Sequence, residues 1–177
     1  GAAAIEAAIK AARQHAYVTA LSGRAARIDA PQQYPYPYKI ISRYRSWHGA
    51  TAGAASASGD PRRWFQEPFT TPGIVSAPTP YEYRTPFGEG DAATQANLAY
   101  LDYLIEQEGG NNKVAAMLVE TVVGSNGIIP PPPGYIEGLR ALCDRWGILL
   151  IVDETMTGMG RTGRMFAVEH YGIEPDI

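Results

Sequence analysis

The stretch Ile148–Gly163, ILLIVDETMTGMGRTG, decides how the chain is read. It opens with an unbroken apolar run after Gly147, too short for a helix and without the alternation of a half-solvated strand, which predicts a strand covered on both faces. Working backward, Tyr135–Trp146 is amphipathic with a helical period and follows the proline run Pro130–Pro133. Val114–Glu120 is a second continuous apolar strand, and Ala92–Glu108 carries Ala96, Leu98, Leu101, Leu104 and Ile105 at helical spacing. Forward, Met165–Tyr171 reads as a further helix. Helices alternating with buried strands predict an α/β domain with a mostly parallel sheet flanked by helices.

The first half is less regular. Ala2–Ala16 is alanine-rich, with Ile5, Ile9 and Ala12 in helical register, so a helix is expected to start directly after Gly1. Leu21–Tyr38 holds Pro31, Pro35 and Pro37 and predicts an irregular surface linker. Tyr38–Tyr44 (YKIISRY) reads as a short strand, and Ala50–Ser58 as a helix, which puts Trp47 and His48 on a strand-to-helix turn. Gly59–Asp91 is rich in proline, glycine and scattered aromatics and is expected to be a long, partly buried loop.

Composition excludes several classes. With 15 basic against 18 acidic residues, the net charge of -3 offers no basic field for a nucleic acid. No apolar run reaches the length of a membrane span, no signal-type core follows the start, and a cytoplasmic protein is expected. The single Cys143 has no intramolecular disulfide partner and no nearby histidine to suggest zinc, so no metal is expected and a buried helical thiol is predicted. Neither end looks like a natural terminus: there is no initiator Met, and Pro175-Asp176-Ile177 enters a strand without completing it. The chain reads as a fragment, truncated at both ends.

In a parallel α/β sheet, ligands gather at the carboxyl ends of the strands. Glu120 and Asp153 both end strands there, and a carboxylate in such a place needs a cationic or hydrogen-bonding partner. A protonated pyridine nitrogen is one such partner; a helix cap, an ion pair or a metal site are others. Two motifs share the letters of this stretch. Leu150–Glu154 looks like the acidic strand of P-loop nucleotidases, but the chain has no GxxxxGK[ST]. Gly158–Gly163 spells GxGxxG, yet Asp153–Thr157 intervene between strand and glycines and would set carboxylates against a pyrophosphate.

DETMTGMGRTG closely resembles the signature of the class-III pyridoxal-phosphate (PLP) aminotransferases. Gly1–Lys10, Ser46–Thr51, Val119–Val122, Pro131–Cys143 and Glu169–Ile177 resemble further segments of that family, in the family's order. Only the linker at Ile28–Pro37 looks foreign. The resemblance implies part of the large domain of a fold-type-I PLP-dependent transferase. Asp153 would hold the pyridine nitrogen protonated, making the ring an electron sink. Trp47, where the family usually has Tyr or Phe, would stack on the ring. The helix start at Gly1 and Ala2 would receive the phosphate through backbone amides, Ala2 standing where a hydroxyl residue is common. His48 would support Asp153 or the turn, Glu120 would lie near substrate and cofactor and pair with a downstream Arg, and Thr155 and Met156 would border the ring. His15 and His170 read as plain helix residues, and Arg161 and Thr162 as loop architecture.

The family's Schiff-base lysine would lie beyond the Pro175–Ile177 segment, and Lys10, Lys39 and Lys113 match other positions. The implied reaction moves an amino group from an ω-amine or ω-amino acid to a keto acid such as pyruvate or 2-oxoglutarate. The ω-amino preference is read from Tyr38–Thr51 and Pro130–Tyr135, and a homodimer or larger homo-oligomer is implied. An aminomutase, decarboxylase or racemase of the same fold, a catalytically silent binding fragment and a nucleotide-binding protein are the alternatives.

Overall fold

The computed structural model describes residues 1–23, 36–83 and 85–177. Its centre is a four-stranded, wholly parallel sheet in the order β2-β1-β3-β4, with β1 at Lys39–Arg43, β2 at Ile74–Ala77, β3 at Val114–Glu120 and β4 at Leu149–Asp153. Every residue of β3 is buried, as its unbroken apolar sequence predicts.

Side chains alternate between the faces, and each face carries its own cluster. On one, Ile41, Met117, Val119 and Leu150 pack against Leu101 and Ile105 of α3 (Gly90–Gln107) and against Tyr135, Ile136, Leu139, Leu142 and Cys143 of α4 (Tyr135–Trp146). On the other, Ile40, Ala116, Leu118 and Ile151 meet α1 (Ala2–Gly23) through Ile5, Ala8, Ile9, Ala12 and Ala16, and α2 (Ala52–Ala57) through Ala54 and Ala57. Burying one such Leu or Ile contributes about 1.5–3 kcal/mol. A one-residue slip of β4 would therefore swap Leu150 and Ile151 between differently shaped clusters. That register also sets Asp153 opposite Glu120 at the carboxyl edge.

Three expectations need correction. The first helix does not stop near Ala16 but runs to Gly23, because alanine-rich sequence sustains a helix after its apolar stripe has ended. Part of the expected linker at Leu21–Tyr38 is thus helical, and residues 24–35, with most of Ile28–Pro37, lie outside the described residues. The expected loop Gly59–Asp91 contains a 3-10 segment at Pro61–Phe69 and the edge strand β2, whose four residues are too few to show a period. The expected helix Met165–Tyr171 is only a 3-10 turn at Ala167–His170: Met165 and Phe166 are exposed, so their apolar spacing reports no buried face.

Cys143 is fully buried in α4, and burial pushes its thiol up to about 12. Among the described residues no helix is long and apolar enough to cross a membrane.

Candidate active site

Three strands deliver their last residues to one corner of the carboxyl edge. Arg43 ends β1, is fully buried, and donates from Nη2 to the Glu120 carbonyl at 2.5 Å, tying the ends of β1 and β3 together. The chain then turns through Ser46, whose Oγ donates to the Arg43 carbonyl at 2.6 Å, and presents Trp47, His48 and Gly49. Glu120 holds this turn from the neighbouring strand: Oε1 accepts from the Trp47 N–H at 3.0 Å, and Oε2 from the Gly124 N–H at 2.9 Å. The His48 N–H donates to Ser58 Oγ at 2.8 Å, anchoring the turn to the end of α2.

Asp153 ends β4 and is buried. Its Oδ2 lies 2.8 Å from His48 Nδ1, and its Oδ1 accepts from the Thr155 N–H at 3.0 Å. An ionised carboxylate only accepts, which assigns the proton of that contact to Nδ1 and leaves His48 Nε2 buried without a partner among the described residues. Burial alone pushes the Asp153 carboxyl up; the hydrogen bonds from His48 and Thr155 outweigh it and hold the group below its ordinary range. Asp153 therefore stays charged at neutral pH.

The start of α1 closes the corner. Ala4 N–H and Ile5 N–H donate to the Gly1 carbonyl, so helix geometry leaves the amides at the very start without intrahelical acceptors and facing outward with the positive end of the helix. Gly49 adopts φ +132°, and a Cβ built on it would fall 2.4 Å from Ala2 Cβ, so only glycine lets the turn approach the helix this closely.

Gly1, Ala2, Trp47, His48, Glu120, Asp153, Thr155 and Met156, all expected from the sequence, line one cavity of about 350 Å³. Thr155 and Met156 are exposed at its mouth, and Trp47 is half-buried. Gly49 and Ser125 also line it and were not foreseen; the turn glycine had a signal in its Trp-His-Gly context, and the loop serine had none. Lys10, Lys39 and Lys113 do not line it, and Lys39 Nζ instead pairs with Glu108 Oε2 at 2.6 Å. No helix opens at Gly158–Gly163, which forms consecutive turns, so the dinucleotide reading of those glycines has no structural counterpart.

The cavity has polarity. Ionised Asp153, its strand-end neighbour Glu120, the start of α1 at Gly1 and Ala2, and the flat indole of Trp47 all line it. A planar ligand with a cationic ring nitrogen and an anionic phosphate fits that distribution of charge, and PLP is such a ligand.

The family model described as aminotransferase class-III matches residues 1–177. An uncharacterized aminotransferase of Schizosaccharomyces pombe is 40% identical over 146 residues, covering 81% of this chain and 32% of that protein. A diaminobutyrate–2-oxoglutarate aminotransferase of Haemophilus influenzae is 38% identical over 154 residues, covering 86% of this chain and 34% of that protein. The chain thus spans about a third of the length of the curated relatives it matches. Among solved structures, an amine transaminase from an uncultivated Pseudomonas species in its PLP-bound form superposes with a TM-score of 0.84 at 34% identity, covering 99% of this chain and 37% of that one. An (S)-enantioselective ω-transaminase from Thermomicrobium roseum gives 0.80 at 35% identity, covering 97% and 35%. The parallel sheet with flanking helices is the fold of these fold-type-I, PLP-dependent transaminases.

Proposed function

Because the chain belongs to the class-III aminotransferase family, we propose that it forms part of the PLP-binding large domain of an enzyme that moves an amino group from an ω-amine or ω-amino acid to a keto acid such as pyruvate or 2-oxoglutarate. The observation that carries the reading is that one cavity is lined both by ionised Asp153 and by the N-terminal start of α1. Among the relatives, the names diaminobutyrate–2-oxoglutarate aminotransferase and putrescine aminotransferase support a donor with a terminal primary amine.

Each residue has a task in this reading. Asp153 pairs with the ring nitrogen and keeps it protonated, and His48 holds Asp153 in place. The helix start at Gly1 and Ala2 takes the phosphate through backbone N–H groups of its first turn, with no side-chain hydroxyl from Ala2 to assist. Trp47 offers its indole to the ring face. Glu120 fixes the backbone of Trp47 and lies near substrate and cofactor, where it pairs with a downstream Arg. Thr155 and Met156 border the entrance. Bound PLP supplies an electron sink, which makes the amino-bearing carbon acidic enough to be deprotonated. The lysine implied for the covalent link to PLP is not one of Lys10, Lys39 or Lys113.

The protein is further read as cytoplasmic and as a homodimer or larger homo-oligomer. Trp64, Phe65 and Phe69, 63%, 72% and 80% exposed in one 3-10 segment, are apolar surface that a second subunit would cover. A monomeric mass by light scattering would contradict it.

The test is cofactor uptake by the protein that carries this chain. Titration with PLP should produce a visible absorption band, an amine donor alone should change that band, and a keto acid should restore it. Binding of ATP without any uptake of PLP would overturn the reading in favour of a nucleotide-binding protein. PLP uptake with loss of CO2 or inversion of a stereocentre, and no amino transfer, would replace it with another reaction on the same fold.

A further inference from the structure

Trp47 does not stand alone at the edge of the cavity. The guanidinium carbon of Arg62 lies 4.0 Å from the centroid of its ring, a stacked cation–π contact. Arg62 is itself held by one carboxylate: Nε donates to Asp60 Oδ1 at 2.8 Å and Nη2 to Asp60 Oδ2 at 3.0 Å, while its backbone N–H donates to Asp60 Oδ1 at 2.7 Å. The Asp60 side chain is 5% exposed and the Arg62 side chain 52% exposed, so a buried carboxylate anchors a guanidinium that reaches outward over the indole. The Arg62 guanidinium beside it holds the Asp60 carboxyl down at about 2, so the clamp is charged throughout the physiological range. Arg62 is not among the residues lining the cavity, although Trp47 is.

We propose that Arg62, fixed by Asp60, is a positioning residue for the cofactor ring: it covers the outer face of Trp47 and so sets the plane of the indole against which the ring stacks. This rests on the proposed PLP site. Sequence reasoning alone does not find it, since Asp60, Arg62 and Trp47 meet only because the segment Pro61–Phe69 folds back beside the turn after β1. A free indole can rotate about two side-chain bonds; a planar guanidinium clamped bidentately can hold one orientation, and a lysine ammonium cannot present the same flat surface. Arg62 thereby acts on affinity for the ring and leaves the chemistry at Asp153 alone.

The experiment compares the wild-type protein with Arg62→Met, Arg62→Lys, Asp60→Asn and, as a control, Arg63→Met in the same segment, where Arg63 Nη1 pairs with Glu67 Oε1. PLP is titrated into each apoprotein, its dissociation constant and absorption maximum are read, and kcat is measured at saturating PLP. The expected result is about a 3- to 30-fold weaker PLP dissociation constant for Arg62→Met, the range a cation–π contact supports. Arg62→Lys and Asp60→Asn should fall between it and wild type, Arg63→Met should match wild type, and kcat at saturation should stay within about twofold. Wild-type affinity and absorption in Arg62→Met would overturn the inference while leaving the PLP site intact. Equal weakening in Arg63→Met would overturn it as well, by assigning the effect to the segment as a whole. Absence of PLP binding by the wild-type protein would instead remove the site and this inference with it.

Discussion

His48 Nδ1 and Asp153 Oδ2, 105 residues apart in sequence, meet at 2.8 Å at the carboxyl edge of the sheet, with both side chains withdrawn from solvent. The pair joins the turn after β1 to the end of β4, so the orientation of the acid depends on a different strand. Losing one preorganised electrostatic partner of the reacting group costs about two to three orders of magnitude in rate. Asp153→Asn should therefore lower turnover by that much while circular dichroism and melting temperature stay close to wild type. His48→Ala should lower it by about 10- to 100-fold, the usual effect of removing an orienting partner, and His48→Asn should recover part of the loss by presenting an amide N–H to Asp153. An unchanged rate in Asp153→Asn would take that residue out of the mechanism.

Gly49 is expected to tolerate no side chain. In Gly49→Ala, the new methyl would fall on Ala2 Cβ at a φ that L-residues rarely adopt, so either the turn or the start of α1 must move. Both border the cavity. The melting temperature should fall and PLP affinity should drop by at least about tenfold, a combination that titration and calorimetry can read on one sample. Wild-type values for both would show that the junction is not a close contact in solution.

These sites differ in how visible they were from the sequence. The strands β3 and β4 were legible because both their faces are buried, which leaves a continuous apolar run and a terminal carboxylate in each, and α4 was legible from its period. Asp153 and Glu120 are visible as strand-end acids, while Gly1, Ala2, Trp47, His48, Thr155 and Met156 come from the family resemblance, and one cavity gathers all eight. Edge strand β2 was not visible: Ile74 and Val75 are only half-buried, and a four-residue strand between prolines has the composition of a loop. Met165–Tyr171 predicts a helix where only a 3-10 turn at Ala167–His170 forms, because helical spacing of apolar residues does not by itself say whether they are buried. The hydrogen bonds of Glu120 to Trp47 and Gly124, and the stacking of Arg62 on Trp47, are long-range or turn-dependent contacts, and local pattern carries no trace of them.

Cys143 should be chemically silent in the folded protein. Its side chain is completely buried against the sheet, and the thiol is pushed up to about 12, so the thiolate that reacts with disulfide reagents is scarcely populated at neutral pH. The Cys143 peptide, followed by mass spectrometry, should stay unlabelled by a disulfide reagent under native conditions and become labelled once denaturant is added. Complete labelling within minutes without denaturant would mean that α4 opens readily or packs differently.

Glu6 gives a prediction with a defined pH dependence. Its Oε1 accepts from Thr51 Oγ1 at 2.7 Å and from the Gly53 and Ala54 N–H groups at 2.7 and 3.3 Å, so a side chain from α1 caps the start of α2, where Thr51 itself makes no side-chain cap. The fit is tight, since a Cβ on Gly53 would strike the Glu6 carboxylate. Loss of a cap of this kind costs about 1–2 kcal/mol, so Glu6→Ala should be destabilised by that amount at pH 7, and Glu6→Gln, which keeps an acceptor but no charge, by less. The hydrogen bond from Thr51 holds the Glu6 carboxyl below its ordinary range, against a smaller opposing effect of burial, and the Gly53 and Ala54 amides add to it. A depressed carboxyl stabilises the fold fully above the unfolded value, about 4.3, and loses that contribution as the pH falls through the lower folded value. The stability difference between wild type and Glu6→Ala should accordingly be constant from about pH 8 to 5 and shrink below about 4.3, as measured by denaturant unfolding at each pH. A difference that grew on acidification would mean that Glu6 caps α2 in its protonated form and that the charge plays no part.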